Sequence, residues 1–279
     1  MDKTYHFLAG LPRSGNTLLS ALLNQNPNIY STPISPLAEN MWEFYAALGS
    51  KEQTNRNIEN KIKSEIFLSS FLDNFYKEIE KPVVIDREKM WGTPYNLNII
   101  KRYITPTPKI IFTVRDILEI IASFVKMDAQ YLNDECYNAG YYITNYRSPK
   151  DLVCEHLMAL NGDIDKSLLS LASAFYPENK GMFHIVEYND LVFNPDKTMA
   201  KIYDFLEMPH YEHNFNKIEK VEIDNDEAAR LPKDLHNIRK SLSQSSTDIN
   251  ILSDYIKHKY SNMEFWRENS SMKIRGKDF

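Results

Sequence analysis

Cysteine, surplus positive charge and long apolar runs are all scarce in this 279-residue sequence. The two cysteines, Cys136 and Cys154, are too few for a disulfide framework and lack metal-ligand spacing, which favours a reducing compartment. No apolar stretch reaches the length of a membrane-spanning helix, and no charged-then-apolar leader precedes the first strand-like segment. These absences predict a cytoplasmic protein without a membrane span.

The charge balance argues against a nucleic-acid-binding protein. The formal net charge is −5, so the chain has no overall basic surface for a phosphate backbone. Hydrophobic residues make up 43% and charged residues 25% of the sequence, as in an ordinary globular protein with a sizeable core. Because no internal repeat or low-complexity linker divides the chain, we expect a single domain over residues 1–279.

Short apolar runs alternate with helical patterns along the chain. The runs are rich in β-branched or aromatic residues, as in strands covered on both faces, and they span residues 5–8, 82–85, 109–114 and 183–186. Apolar residues recur at helical spacing over residues 57–79, 151–175 and 196–206. This alternation predicts an α/β fold with a doubly wound parallel β-sheet flanked by helices. The polar residues 219–247 indicate a long surface loop.

The stretch GLPRSGNTLL, at residues 10–19, has the frame of a phosphate-binding loop. Gly10 and Gly15 have the Walker A spacing, and Thr17 supplies the hydroxyl, but Asn16 replaces the lysine that ATP binding requires. Arg13 lies inside the loop instead. Because a predicted strand precedes the loop and a predicted helix over residues 17–25 follows it, backbone N–H groups and the helix dipole should face an anion there. Arg13 can add a two-pronged contact to phosphate or sulfate oxygens.

A second candidate anion site lies in KIIFTVRDILEIIASF. Arg115 follows a predicted strand and therefore faces the crevice where α/β sheets bind ligands. Ser123 lies about two turns along the helix that should begin near Asp116. Both side chains could reach one phosphate. The alternative is a structural role, with Arg115 paired to Asp116 or Glu119.

Several segments, in matching order from residue 5 to about 209, resemble the PAPS-dependent sulfotransferase family. GLPRSGNTLLSALLNQNP is similar to its 5′-phosphosulfate loop, and VRDILEIIASF to its 3′-phosphate segment. EYNDLVFNPDKTMAKIYDFLEMP resembles the Tyr-Glu-Asp-Leu stretch and the helix after it. VVIDREKMW is similar to a basic-then-Trp segment of bacterial and tyrosylprotein-type members. The resemblance implies a P-loop NTPase-like sulfotransferase fold.

The resemblance also implies a donor and the residues that hold it. The donor would be 3′-phosphoadenosine 5′-phosphosulfate (PAPS), which leaves as PAP after its sulfuryl group moves to a hydroxyl or amine. Residues of the loop would cradle the 5′-phosphosulfate: Arg13, Ser14, Gly15, Asn16, Thr17 and Leu18. Arg115 and Ser123 would hold the 3′-phosphate, Tyr188 would contact the nucleotide, and Arg239 would close over the 3′-phosphate from the polar loop.

The expected chemistry is an in-line transfer with a loose transition state, by analogy with phosphoryl transfer. Arg13 is placed to meet charge on the leaving phosphate, and Arg87 or Lys89, after a predicted strand, could reach the sulfuryl oxygens. Because basic side chains would do the work of lysine and magnesium, no metal is expected. The acceptor hydroxyl needs a general base. The candidates are Glu39, Glu43 and Asp86, and Glu39 is the preferred one.

Two other functions fit parts of the sequence. A P-loop kinase or NTPase would use PVVID as a Walker B strand, with Asp86 as the magnesium ligand. The missing lysine at Asn16 and the basic Arg87 and Lys89 beside Asp86 argue against it. A non-catalytic nucleotide-binding protein could also use the same fold.

Overall fold

A parallel five-stranded sheet forms the centre of the protein in the computed structural model, which describes residues 2–50, 57–127, 148–219, 239–242, 247–267, 273–274 and 277–278. Its strands are β1 (Thr4–Gly10), β2 (Ile29–Ser31), β3 (Val83–Arg87), β4 (Ile110–Val114) and β5 (Phe183–Glu187), in the order β2-β3-β1-β4-β5. The strand pairings are all parallel. Because the sheet grows outward from β1 on both sides, the predicted doubly wound parallel architecture is confirmed.

Helices cover the sheet. They are α1 (Asn16–Leu23), α2 (Leu37–Ser50), α3 (Ile58–Ser69), α4 (Phe71–Phe75), α5 (Pro94–Tyr103), α6 (Ile117–Met127), α7 (Pro149–Met158), α8 (Asp163–Ala172), α9 (Tyr188–Phe193), α10 (Pro195–Leu206) and α11 (Asp254–Tyr260). Short 3₁₀ helices span Ser173–Phe175, Pro177–Asn179 and Ile249–Ile251. The strands β6 (Lys273–Ile274) and β7 (Lys277–Asp278) form an antiparallel pair. Across the described ranges, no helix is both long and apolar enough to cross a lipid bilayer.

The core lies on both faces of the sheet. Successive strand residues point to opposite faces, so Phe7 joins one apolar cluster and Leu8 the other, and both are fully buried. Phe112 and Ile111 of β4 divide in the same way. Burial on both faces explains why these strands read as continuous apolar runs rather than as alternating patterns.

The predicted strands coincide with β1, β3, β4 and β5 to within about two residues. The sequence did not predict β2, because its three residues are too few to form a pattern. This short edge strand pairs with β3 and carries the chain toward α2.

The helical predictions need two corrections. The pattern over residues 57–79 is interrupted at Ser70, where α3 ends and α4 begins. The pattern over residues 151–175 is interrupted after α7, and Gly162 precedes α8. A Cβ at Gly162 would lie 2.5 Å from the carbonyl oxygen of His156, so only glycine allows this close backbone approach. The helix predicted over residues 196–206 matches α10.

Candidate active site

The loop between β1 and α1 has an unusual backbone. Gly15 has a φ of 89° and Arg13 a φ of 60°, and both lie in the left-handed region. Glycine adopts this conformation freely, whereas a residue with a Cβ pays roughly 1–2 kcal/mol for it. The surrounding contacts must therefore hold Arg13 in place.

Those contacts form a buried polar network beneath the loop. Ser14 Oγ lies 2.6 Å from the carbonyl oxygen of Leu11 and 2.6 Å from Oγ1 of Thr113, a residue of β4. The Asn16 amide donates to the Leu11 carbonyl at 2.9 Å, and its Oδ1 accepts from Thr113 Oγ1 at 2.8 Å. A Cβ at Gly10 would lie 2.1 Å from Thr113 Oγ1, so glycine is required there. The side chains of Ser14 and Asn16 therefore brace the loop from inside.

The outer side of the loop offers backbone donors. Leu19 N–H is the first to bond within the helix, to the carbonyl of Gly15 at 2.9 Å. The N–H groups of Asn16, Thr17 and Leu18 thus precede the intrahelical ladder, and no side chain among the described residues caps α1 at Gly15. Because the helix dipole adds positive potential there, this end of α1 suits an anion.

Arg13, Ser123 and Arg115 meet beside the loop, although they come from distant parts of the sequence. Arg13 Nε donates to Ser123 Oγ at 3.2 Å, and Arg115 Nη1 donates to the Arg13 carbonyl oxygen at 3.2 Å. Ser123 lies on α6 and Arg115 just after β4, which pairs with β1. Parallel pairing brings the carboxyl ends of β1 and β4 together, so the two predicted anion sites form one basic region.

The Arg115 guanidinium is almost fully buried and held on several sides. It donates to Glu119 Oε2 through Nε at 2.8 Å, and to Thr247 Oγ1 through Nη2 at 3.1 Å. The sequence left open whether Arg115 binds a phosphate or pairs with a neighbouring carboxylate, and the pairing with Glu119 is the second of these. The guanidinium carbon also lies 4.4 Å from the ring centroid of Tyr188, the first residue of α9. A Cβ at Gly15 would lie 2.9 Å from this ring, so Tyr188 packs directly against the loop.

Asp86 is a buried structural residue. It is fully buried in β3; Oδ1 accepts from Trp91 Nε1 at 2.6 Å and Oδ2 accepts from the Tyr76 hydroxyl. Burial raises the pKa of this carboxyl, although the hydrogen bonds from Tyr76, Ser35 and Trp91 oppose the shift. To bind magnesium or accept a proton from a substrate, Asp86 would have to give up hydrogen bonds inside the core. Its predicted roles as a magnesium ligand or a general base stay predictions.

The other predicted cations after β3 also have protein partners. The Arg87 guanidinium donates to the Pro33 carbonyl oxygen, and the Arg87 N–H donates to Thr32 Oγ1 at 2.9 Å. Lys89 Nζ forms an ion pair with Asp163 Oδ1 at 2.5 Å, at the start of α8. Either side chain would have to leave its partner to reach a sulfuryl group.

Glu88 is the functional candidate that sequence reasoning missed. Its N–H donates to the Leu8 carbonyl of β1 at 3.0 Å, which places it at the carboxyl edge of the sheet next to the strand that leads into the loop. Oε2 accepts from Met90 N–H at 2.5 Å, and no donor in the described part of the chain contacts Oε1. Burial raises the pKa of this carboxyl to about 7. Nothing in the linear sequence distinguishes it from its charged neighbours.

Glu39 and Glu43, the other predicted base candidates, are exposed on α2. Glu39 lies in the first turn of that helix, near Tyr95 at the start of α5. The charges of Glu88 and Glu39 both raise the pKa of Tyr95, after the larger effect of burial. The two carboxyls therefore border the same region, and Glu88 is the more enclosed of the two.

Arg239 belongs to a short described piece of the predicted polar loop. Arg239 itself is exposed, and the Lys240 carbonyl oxygen next to it accepts from Ile218 N–H at 2.8 Å. The predicted contact of Arg239 with a 3′-phosphate stays a prediction. Residues 220–238 and 243–246 of the same loop lie outside the described residues.

Comparison with known proteins gives the chain a family. The family model described as the sulfotransferase family matches residues 6–213. No curated protein matches the sequence significantly.

Among solved structures, the sulfotransferase domain from the Synechococcus PCC 7002 olefin synthase is similar, with a TM-score of 0.53 and 20% identity over 90% of this chain and 89% of that chain. Mouse sulfotransferase SULT7A1 complexed with PAP has a TM-score of 0.48 and 14% identity over 94% of this chain and 84% of that chain. At these identities a structural likeness concerns the fold alone. The match of the family model, which covers most of the chain, shows that the protein belongs to the sulfotransferase family.

Proposed function

We propose that the protein transfers a sulfuryl group from PAPS to a hydroxyl or amine acceptor. The observation that carries this proposal is the meeting of Arg13, Ser123 and Arg115 beside the N-terminus of α1. PAPS carries two separated anionic groups, a 5′-phosphosulfate and a 3′-phosphate. A loop with its own arginine, adjoining a second arginine and a serine, suits such a ligand.

The donor set fits the two anionic groups of PAPS. The N–H groups of Asn16, Thr17 and Leu18, with Arg13, would hold the 5′-phosphosulfate. Arg115 and Ser123 would hold the 3′-phosphate. Ser123 Oγ accepts from Arg13, so its own proton can still be donated to a phosphate oxygen. The side chains of Ser14 and Asn16 would act indirectly, because their polar atoms are used inside the loop.

In the transfer, the acceptor oxygen or nitrogen would bond to sulfur while the bond from sulfur to the bridging oxygen breaks. The bonding pair leaves with the 5′-phosphate of PAP, where Arg13 would stabilise the added charge. The acceptor proton would pass to a carboxylate. We assign this step to Glu88 in preference to Glu39, because a mostly enclosed carboxyl with a pKa of about 7 can be ionised at neutral pH and still bind a proton. The proton is later lost to solvent.

Titration calorimetry tests the nucleotide specificity. The protein should bind PAP and should bind AMP, which lacks the 3′-phosphate, more weakly. It should bind Mg-ATP more weakly than PAP as well. Preference for Mg-ATP would overturn the proposal in favour of a kinase or NTPase. Binding of PAP without transfer to any of a broad panel of hydroxyl and amine acceptors would favour a non-catalytic nucleotide-binding protein.

Replacement of Arg13 tests the assignment of the leaving-group cation. Arg13→Ala should abolish most sulfuryl transfer, by about 100-fold or more, because one preorganised charge contact is removed from the transition state. The free energy of unfolding should change by less than about 1 kcal/mol, since the side chain is only partly buried. The matched control is Arg102→Ala, which removes a surface arginine paired with Glu65. Unchanged transfer in the Arg13 variant would contradict its role.

A further inference from the structure

The C-terminal segment, residues 247–267, lies beyond the part of the chain that the family model matches. It contains a 3₁₀ turn at Ile249–Ile251 and the helix α11. The segment is anchored on α7: Ser253 Oγ donates to Asp151 Oδ1 at 2.9 Å, and Lys259 Nζ lies 2.5 Å from Glu155 Oε2. The Tyr260 hydroxyl donates to the same carboxylate oxygen at 2.8 Å. The segment is therefore fixed to the body of the protein.

One end of this segment binds the residue before Tyr188. Arg267 forms a two-pronged contact with Glu187, with Nε 2.7 Å from Oε1 and Nη2 2.9 Å from Oε2. Trp266 Nε1 donates to the same Oε1 at 2.9 Å. Isolated surface ion pairs contribute little, but a bidentate arginine–carboxylate pair with a further donor has a fixed geometry. The end of β5, and with it Tyr188, is held in place by this contact.

The same segment also contacts Arg115 and the two residues that follow it. Thr247 Oγ1 accepts from the Arg115 guanidinium at 3.1 Å, and Glu264 Oε1 accepts from Ile117 N–H at 2.9 Å. Arg267 Nη1 lies 3.9 Å from Asp116 Oδ2. The segment thus reaches the residues that follow β4 and the last residue of β5. Arg115 and Tyr188, which stack at 4.4 Å, lie between these contacts.

We infer that residues 247–267 form a clamp that positions Arg115 and Tyr188 for the nucleotide, with Arg267 as its main positioning residue. The inference rests on the proposed function, since it assigns Arg115 to the 3′-phosphate. Arg267 ties the end of β5 to the turn after β4 through Glu187 and Asp116. The clamp therefore fixes the cation and the aromatic ring relative to each other without itself touching the ligand.

The test compares PAP with AMP in the full chain. Arg267→Ala should weaken PAP binding by on the order of tenfold, a common size for coupling between neighbouring groups. It should lower the ratio of PAP to AMP affinity, because AMP lacks the phosphate that Arg115 would hold. Arg267→Lys keeps the charge and should restore part of the PAP affinity. Arg102→Ala, which breaks a surface pair with Glu65, is the control and should leave both affinities unchanged.

The outcomes separate the clamp from the proposed function. A wild-type protein that does not bind PAP would refute the proposed function. A wild-type protein that binds PAP, with an Arg267→Ala variant that binds it equally well, would refute the clamp alone. An equal loss of PAP and AMP affinity would indicate general loosening and would also refute it.

A second variant guards against a folding defect in Arg267→Ala. Glu187→Gln keeps the shape of the side chain and should weaken PAP binding in the same direction. The double variant, with Glu187→Gln and Arg267→Ala combined, should be no weaker than Arg267→Ala, because both changes break one contact. Fully additive losses would show that the two residues act separately and would overturn the clamp.

Discussion

Glu88 gives the structure a pH dependence that a single substitution can isolate. Burial raises the pKa of its carboxyl to about 7 from the ordinary 4.5, with a smaller contribution in the same direction from Asp86. The Met90 N–H and the charges of Lys89 and Arg87 act in the opposite direction. Because the folded protein binds this proton more tightly than the unfolded chain does, ionisation of Glu88 destabilises the fold.

The size and sign of the effect of Glu88 on the free energy of unfolding follow from the shift in its pKa. A pKa change from 4.5 to about 7 corresponds to about 3 kcal/mol as an upper value, and partial solvent access reduces it to about 1–3 kcal/mol. The stabilising contribution of the protonated carboxyl is fully present below pH 4.5 and is lost as the pH rises through 7. Glu88→Gln keeps a neutral side chain of the same shape at every pH. The variant should therefore match the wild type near pH 4.5 and exceed it by about 1–3 kcal/mol at pH 8.5.

Urea unfolding of both proteins between pH 4.5 and 8.5 measures this difference. The groups that titrate in both proteins cancel when the two free energies of unfolding are subtracted at each pH. The agreement expected near pH 4.5 is an internal control for any effect of the amide itself. A difference that stays constant over the whole range, or a Gln variant less stable than the wild type at pH 8.5, would refute the environment assigned to Glu88.

Three further substitutions test other parts of the structure. Gly15→Ala should destabilise the fold by at least about 1–2 kcal/mol in urea unfolding and weaken PAP binding in calorimetry. The reason is that φ is 89° at this residue and the new Cβ would lie 2.9 Å from the Tyr188 ring. An unaffected variant would mean that the loop backbone is different. Tyr76→Phe leaves buried Asp86 without one of its donors and should cost about 1–3 kcal/mol in thermal unfolding, whereas no loss would argue against this hydrogen bond. Burial lowers the pKa of His6 to about 4, so the contribution of neutral His6 to stability is present above pH 6.5 and is lost as the pH falls through 4. In His6→Gln, this loss of unfolding free energy at acid pH should disappear. If the loss persists in the variant, the buried environment assigned to His6 is wrong.

The sequence predicted the sheet well because its strands are buried on both faces. Continuous apolar runs identified β1, β3, β4 and β5, and their alternation with helices fixed the parallel architecture. Such runs need several residues to stand out, so the three-residue β2 remained hidden.

Helical periodicity was less informative about burial. The apolar stripe predicted along residues 57–79 includes Ile58, Ile62 and Ile66, yet these side chains are 76%, 52% and 62% exposed. A 3.6-residue repeat shows that apolar residues share one face of a helix, but not that another element covers that face. Whether another element covers the apolar face depends on contacts between residues far apart in the sequence, and a local pattern does not reveal those contacts.

In the phosphate-binding loop, too, local sequence rules predicted some features and missed others. Its glycines, Arg13 and its position between a strand and a helix follow from local sequence rules. The inward direction of the Ser14 and Asn16 side chains depends on Thr113, which reaches the loop only because β4 pairs with β1. No loop pattern could assign these side chains to bracing, because their partner is nearly a hundred residues away in the sequence.

The carboxylates after β3 show most clearly where local reasoning ends. Asp86 and Glu88 are two residues apart, so strand alternation gives them the same side, yet the sequence marked only Asp86 as a candidate, at the end of a strand that resembles Walker B. Tyr76 and Trp91 occupy both oxygens of Asp86, whereas Glu88 has one oxygen held by Met90 N–H. A carboxylate whose lone pairs are already used in the core is a poor proton acceptor for a substrate. Glu88, at the sheet edge with one oxygen that no donor of the described residues contacts, is a better one. If the base is Glu88, Glu88→Gln should abolish transfer while PAP binding persists, and Glu39→Gln should retain transfer; the reverse pattern would return the role to Glu39.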